Sequence, residues 1–130
     1  MKVHSLLHSS LLVEDLARAR AFYEGILGLA PSIARPGMSY DGVWYELGPQ
    51  QIHLLCLPNP EKGLERPPHG GRDRHVALGV DSIEELASRL DAAGIPYTRS
   101  RSGRAALFCR DPDMNALEFV EAVAGDRSAG

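Results

Sequence analysis

His8-Ser-Ser-Leu-Leu-Val-Glu-Asp15 and His75-Val-Ala-Leu-Gly-Val-Asp-Ser82 decide the reading of this chain. Each opens on a histidine, continues through an apolar, strand-like run and ends on a residue type that caps helices. A helical pattern follows each. The first spans about Leu16–Leu27, with Leu16, Ala19, Phe22, Tyr23, Ile26 and Leu27 on one stripe. The second spans about Ile83–Ala93, with Ile83, Leu86, Leu90 and Ala93. Ser82-Ile-Glu-Glu85 has the form of a capping box. Both helices stop at glycine, Gly28 and Gly94, which tolerates the left-handed turn after a helix. A proline follows in each half, Pro31 and Pro96.

Working outward, each half continues with strand-like runs. They are Ser32–Arg35, Gly42–Leu47 and Gln51–Leu57, then Tyr97–Arg101, Ala105–Arg110 and Ala116–Ala122. Gly48-Pro49 and Asp111-Pro-Asp113 mark the turns between the last two strands of each half. The chain therefore reads as an α+β fold of two paired βαβββ modules forming a curved, cupped mixed sheet. Module one covers about 4–57, a linker about 58–72, module two about 73–122 and a flexible tail 123–130. Such a repeat unit does not bury its own sheet face alone, so the modules are expected to pack as a pair.

The repeat also aligns chemistry. The spacing is 45 from His8 to His53 and 43 from His75 to Glu118, so His8 answers to His75 and His53 to Glu118. A lone strand histidine is usually a hydrogen-bonded core residue. Glu118 is harder to explain that way: it lies in Ala116-Leu-Glu-Phe-Val120, and a carboxylate is buried only when paired or metal-bound. Metal-ligand residue types at all four equivalent positions favour a metal held by His8, His53, His75 and Glu118. Three imidazoles and a carboxylate suit Fe, Zn, Ni, Co or Mn better than Ca or Mg. His4 is read as outside the site, and His69, in a loop, as a surface residue in preference to a lid contact.

Composition agrees with an ordinary globular chain. The 130 residues are 44% hydrophobic and 24% charged, with net charge -3 and pI about 5.9. There is no basic excess for nucleic acid and no apolar run near the roughly 18 residues of a membrane span. The N-terminal residues lack a secretory pattern, so a cytoplasmic protein with reduced Cys56 and Cys109 is expected. The arginines near 66–74 and 99–104 read as a solvated face or as the rim of an anion-attracting pocket. Trp44 and Tyr45 alternate, so one of them faces the cup. Phe108 and Phe119 are expected in the core. Trp44, Arg101 and Arg104 are candidate substrate contacts.

These residues resemble the vicinal oxygen chelate superfamily, the glyoxalase/bleomycin resistance/extradiol dioxygenase-like proteins. The markers are Leu7-His-Ser-Ser-Leu-Leu-Val-Glu-Asp-Leu16, Ala21-Phe-Tyr23 with Leu27-Gly-Leu29, His75-Val-Ala-Leu-Gly-Val80 and Asp111-Pro-Asp-Met-Asn-Ala-Leu-Glu118. The resemblance implies the same four metal ligands, a small-molecule substrate and a homodimer. In many members with a single module pair, the halves of one site come from different subunits. It implies a glyoxalase-like lyase or isomerase in which the metal binds two substrate oxygens and Glu118 or His53 moves a proton. The alternatives are a non-haem Fe(II) dioxygenase using His8, His75 and Glu118, or a non-catalytic drug-binding protein. Several departures narrow this. His53 stands where glyoxalase I usually has Glu. Leu12 and Leu57 stand where bacterial forms place an Arg and an Asn that contact glutathione. Met114 replaces the usual turn glycine, so a different turn form is expected there.

Overall fold

The computed structural model describes residues 1–122; the expected tail, 123–130, lies outside the described residues. The chain divides into two compact units between Lys62 and Gly63, inside the expected linker.

The first unit contains β1 (His8–Val13), α1 (Leu16–Arg20), β2 (Gly42–Leu47) and β3 (Gln50–Cys56). The strand order is β1-β3-β2, with β1 parallel and β2 antiparallel to β3. Asp15 starts the helix by accepting the Arg18 amide at 3.1 Å. The single helix expected over Leu16–Leu27 is instead one α-helical segment followed by a π-helical turn, Ala21–Ile26. That wider turn accompanies burial of two consecutive aromatics, Phe22 and Tyr23, which a 3.6-residue period would splay apart. Glu24 ties the turn to the sheet: it accepts from Arg20 Nε at 2.5 Å and from the Tyr45 hydroxyl at 2.8 Å. Its carboxyl is held below the ordinary value, chiefly by the Arg20 hydrogen bond. The core consists of Val13, Ala19, Phe22, Tyr23, Val43, Tyr45, Ile52 and Leu54.

The strand expected over Ser32–Arg35 does not form. What remains is one bridge, Pro31 to Tyr45, and the Ser32 amide donating to the Trp44 carbonyl at 2.7 Å. Pro31 has no amide hydrogen to donate, and Pro36-Gly37 ends extension a few residues later. Module one is therefore βαββ in this structure.

The second unit contains β4 (His75–Val80), α2 (Ile83–Ala92), β5 (Tyr97–Arg99), β6 (Ala106–Arg110) and β7 (Ala116–Glu121), ordered β4-β7-β6-β5. Its β4 is parallel to β7, as β1 is to β3. The order matches the first unit, with β5 as the extra edge strand. Ser82 Oγ accepts the Glu85 amide at 3.1 Å. The Glu85 carboxylate, expected to complete a capping box, instead accepts from Arg89 at 3.0 Å. The buried face of α2 is Ile83, Leu86, Ala87 and Leu90, and α2 packs on β7. Cross-strand partners share a sheet face, so Leu107 with Phe119 and Cys109 with Leu117 form the core face. Burial drives the Cys109 thiol up to about 12, as expected of an inert packing thiol.

The β6–β7 turn keeps its left-handed residue despite the missing glycine: Met114 has φ 70. The turn therefore does not take the different form expected from the sequence. Asp111 dictates the conformation by accepting the Asp113 and Asn115 amides, each at 2.9 Å. Met114 is exposed and bears the steric cost of its Cβ. Met114→Gly is expected to stabilise the chain by about 1 kcal/mol, read as a raised urea midpoint at unchanged slope.

Candidate metal and substrate site

Each unit brings two of the four candidate ligands together. In the first, His53 pairs with Ser10 across β3–β1, and His8 with Gln51. This puts the two imidazoles on one sheet face, stacked with centroids 4.0 Å apart. Trp44 covers the other side of His53, parallel to within 2° at 3.9 Å. Tyr45, its neighbour, is fully buried on the opposite face. Gln51 Nε2 donates to Glu46 at 2.8 Å, so its carbonyl oxygen faces His53 Nε2, also at 2.8 Å. Burial, followed by the adjacent His8, pushes the His53 imidazole below its usual value, favouring the neutral ring a metal requires.

The same face opens into a cavity of about 510 Å³ lined by Leu7, His8, Ser10, Met38, Tyr40, Trp44, Glu46, Pro49, Gln51, His53 and Leu55. Its walls are mostly apolar or aromatic, with polar atoms grouped around the histidines. Trp44 is thus on the cavity wall.

In the second unit, Glu118 pairs with Ala77 across β7–β4 and His75 with Ala116, the same two-residue offset as His53 and His8. Glu118 is buried, and its Oε1 lies 3.1 Å from His75 Nε2. His75 Nδ1 is 2.8 Å from the Asp73 carbonyl. A carbonyl only accepts, so Nδ1 carries the hydrogen. A neutral His75 then turns a lone pair from Nε2 towards a carboxylate oxygen. Two lone pairs this close need a proton or a cation between them. A backbone carbonyl on the far nitrogen is also how metal-bound histidines are held. The donor chemistry of each pair therefore suits a divalent transition metal. Among the described residues, no three His, Cys, Asp or Glu side chains form one metal-holding group.

The second oxygen of Glu118 accepts from Arg104 Nη2 at 2.7 Å. Arg101 is exposed in the same turn. Phe108, opposite Glu118 in the β6–β7 register, meets His75 edge-on at 5.4 Å. Phe108 is buried as expected, but it also walls the site. His69 corrects the surface reading. It is half-buried, its ring is 4.9 Å from Phe108, and its Nδ1 accepts the Gly71 amide at 2.9 Å. Arg66, in the linker, is not simply solvated either: its side chain is 21% exposed. Arg110 and Arg66 flank Asp73 at 2.9 and 3.6 Å, anchoring the residue whose carbonyl orients His75. Gln51 and Phe108 are the site residues that sequence reasoning missed. The signal available was spacing: Gln51 lies two residues from His53, and strand alternation puts both on one face.

Comparison with known proteins places the fold in a family. The profile of the Glyoxalase/Bleomycin resistance protein/Dioxygenase superfamily matches residues 5–119. "Glyoxylase I 4" of Arabidopsis thaliana is 32% identical, over 88% of this chain and 69% of the relative. "Lactoylglutathione lyase" of Salmonella typhimurium is 31% identical, over 96% of this chain and 98% of its own. Among solved structures, a single-residue mutant of the fosfomycin resistance protein FosX from Listeria monocytogenes, complexed with Mn(II) and 1S,2S-dihydroxypropylphosphonic acid, superposes with TM-score 0.71. It is 18% identical, covering 99% of this chain and all of that one, and this likeness bears on the fold alone. No helix among the described residues is long and apolar enough to cross a membrane. With the duplicated mixed sheet and a match over nearly the whole length, the chain belongs to the glyoxalase/bleomycin resistance/dioxygenase superfamily.

Proposed function

We propose that this protein is a divalent-metal-dependent lyase or isomerase of glyoxalase type, acting on a small oxygenated metabolite, with His8, His53, His75 and Glu118 as metal ligands. The observation that carries this reading is the His75–Glu118 pair, whose Nε2 and carboxylate oxygen lie 3.1 Å apart, a gap that a proton or a metal cation fills. When bound, the metal polarises a substrate carbonyl and stabilises the charge that develops on its oxygen. The chain's own groups do the rest. Glu118, or His53, accepts the proton that moves. Trp44, Tyr40 and Met38 offer apolar surface for the substrate's carbon skeleton. Arg101 and Arg104 remain candidates for a polar end. Leu12 and Leu57 argue against glutathione as part of the substrate. A cytoplasmic location accords with the free thiols of Cys56 and Cys109.

A homodimer is part of the proposal. β1 and β4 are edge strands of their sheets, and Leu6 and Leu7, which lead into β1, are exposed. Unpaired edges of this kind invite a partner.

One observation favours a second reading. Gln51 occupies His53 Nε2, which suits His53 as an acid or base beside a His8, His75 and Glu118 iron triad in a dioxygenase. Elemental analysis of tag-free protein, purified without chelators under low oxygen, separates the two. Zinc, nickel, cobalt or manganese near one equivalent supports the lyase or isomerase. Iron with oxygen uptake on catechols supports the dioxygenase. Absence of any metal after reconstitution overturns both and leaves a small-molecule binding protein. Sedimentation of the same sample tests the dimer.

A further inference from the structure

We infer that Arg104 is a resident counter-ion of Glu118 that competes with the metal for this carboxylate, and so sets how tightly the site holds a metal. The inference rests on the metal-site reading above and adds a regulator to it.

The Glu118 side chain is only 8% exposed, whereas that of Arg104 is 57% exposed. A carboxylate buried to this degree is costly without a compensating charge. Arg104 Nη2, at 2.7 Å from Oε2, provides one with no metal required. The guanidinium has its own seat. Arg104 Nε donates to Ser102 Oγ at 3.2 Å, and Ser102 Oγ lies 2.8 Å from Ser100 Oγ. Gly103, with φ 83, turns the chain between Ser102 and Arg104. Because more than half of the arginine side chain lies in solvent, moving it off the carboxylate leaves its charge hydrated.

A metal arriving between His75 and Glu118 meets a carboxylate already neutralised by a cation. Bound to both, Glu118 would hold two positive centres side by side. Bound to the metal alone, it must first release Arg104. The first case costs charge repulsion; in the second, apparent affinity is scaled by the fraction of time the carboxylate is free. An arginine that holds Glu118 nine-tenths of the time weakens metal binding about tenfold. The opposite possibility is that Arg104 orients Glu118 for the metal. Losing such an outer partner typically weakens binding by roughly 10–100-fold, so the two roles have opposite signs.

The test is a zinc titration of the full chain against a chromophoric chelator, comparing wild type with Arg104→Gln, Arg104→Lys and His75→Ala, alongside thermal melts of the metal-free proteins. Competition predicts that Arg104→Gln binds zinc about tenfold more tightly while its metal-free form melts lower. Arg104→Lys, which keeps the charge, stays near wild type in both. An unchanged or weakened zinc affinity in Arg104→Gln overturns the inference. Equal zinc affinity in wild type and His75→Ala overturns the metal site itself, and the inference with it.

Discussion

Glu118→Ala protein, purified like wild type, is expected to carry almost no metal while remaining folded. Glu118 is the one anionic donor among the four candidate ligands, and its Oε1 faces the Nε2 of His75. Alanine removes both the charge that attracts the cation and the oxygen that binds it. Loss of such a ligand exceeds the roughly 10–100-fold effect of losing an outer partner, so at least a 100-fold loss of affinity is expected. Stability should change far less. Alanine replaces a buried charge whose partners, Arg104 and His75, both reach solvent, with side chains 57% and 26% exposed. His75→Ala should behave similarly. Elemental analysis and chelator competition read the first effect, and circular dichroism the second. Wild-type metal content in both variants would sink the ligand assignment. His53→Ala then places its residue: a loss equal to that of His75→Ala marks a ligand, and a milder one a proton carrier near the metal.

The largest effect on stability is expected at Asp111. It is buried at 3% exposure and organises the β6–β7 turn through four acceptances shared among three neighbours. Its Oδ1 takes the Asp113 and Asn115 amides at 2.9 Å, its Oδ2 takes Asn115 Nδ2 at 2.8 Å, and its carbonyl takes the Met114 amide at 3.0 Å. Asp111→Ala leaves the backbone bond but strands the three donors that face the carboxylate. Hydrogen bonds to a charged acceptor contribute about 1.5–3 kcal/mol each, and water recovers part of that at a partly open turn. A loss of about 3 kcal/mol is therefore expected, or roughly 10 °C in Tm for a chain of this size. Asp111→Asn keeps one oxygen acceptor and should lose about half as much. The turn also sets the register that places Glu118 opposite Phe108. Metal affinity should therefore fall with the stability of this turn, while Met114→Gly, in the same turn, moves stability the other way.

Much of this was legible without coordinates because it is periodic or local. Strand alternation and helix capping located β1, β2, β3, β4, α2, β6 and β7 to within a residue or two. Gly28 and Gly94 have the left-handed φ, 75 and 69, that their positions after the helices demanded. The failures are non-local. Ser32–Arg35 has strand-like residues, yet after Ser32 the next amide on that side, Ala34, donates to Ser32 Oγ at 3.0 Å rather than to a neighbouring strand. The π-helical turn at Ala21–Ile26 answers to the packing of Phe22 and Tyr23 against the sheet, which no helical period announces. His69 looked like a surface residue because the sequence does not show that its loop lies against Phe108.

The sequence by itself determined the repeat and the four candidate metal ligands, because both follow from residue type at fixed spacing, and its motifs resemble the family to which the chain belongs. Only the tertiary structure decided how those residues are prepared. That Gln51 holds His53, the Asp73 carbonyl orients His75 and Arg104 neutralises Glu118 depends on distances across strands and loops. Hydrogen bonds and ion pairs act over about 3 Å, and only the folded chain brings residues such as 104 and 118 that close.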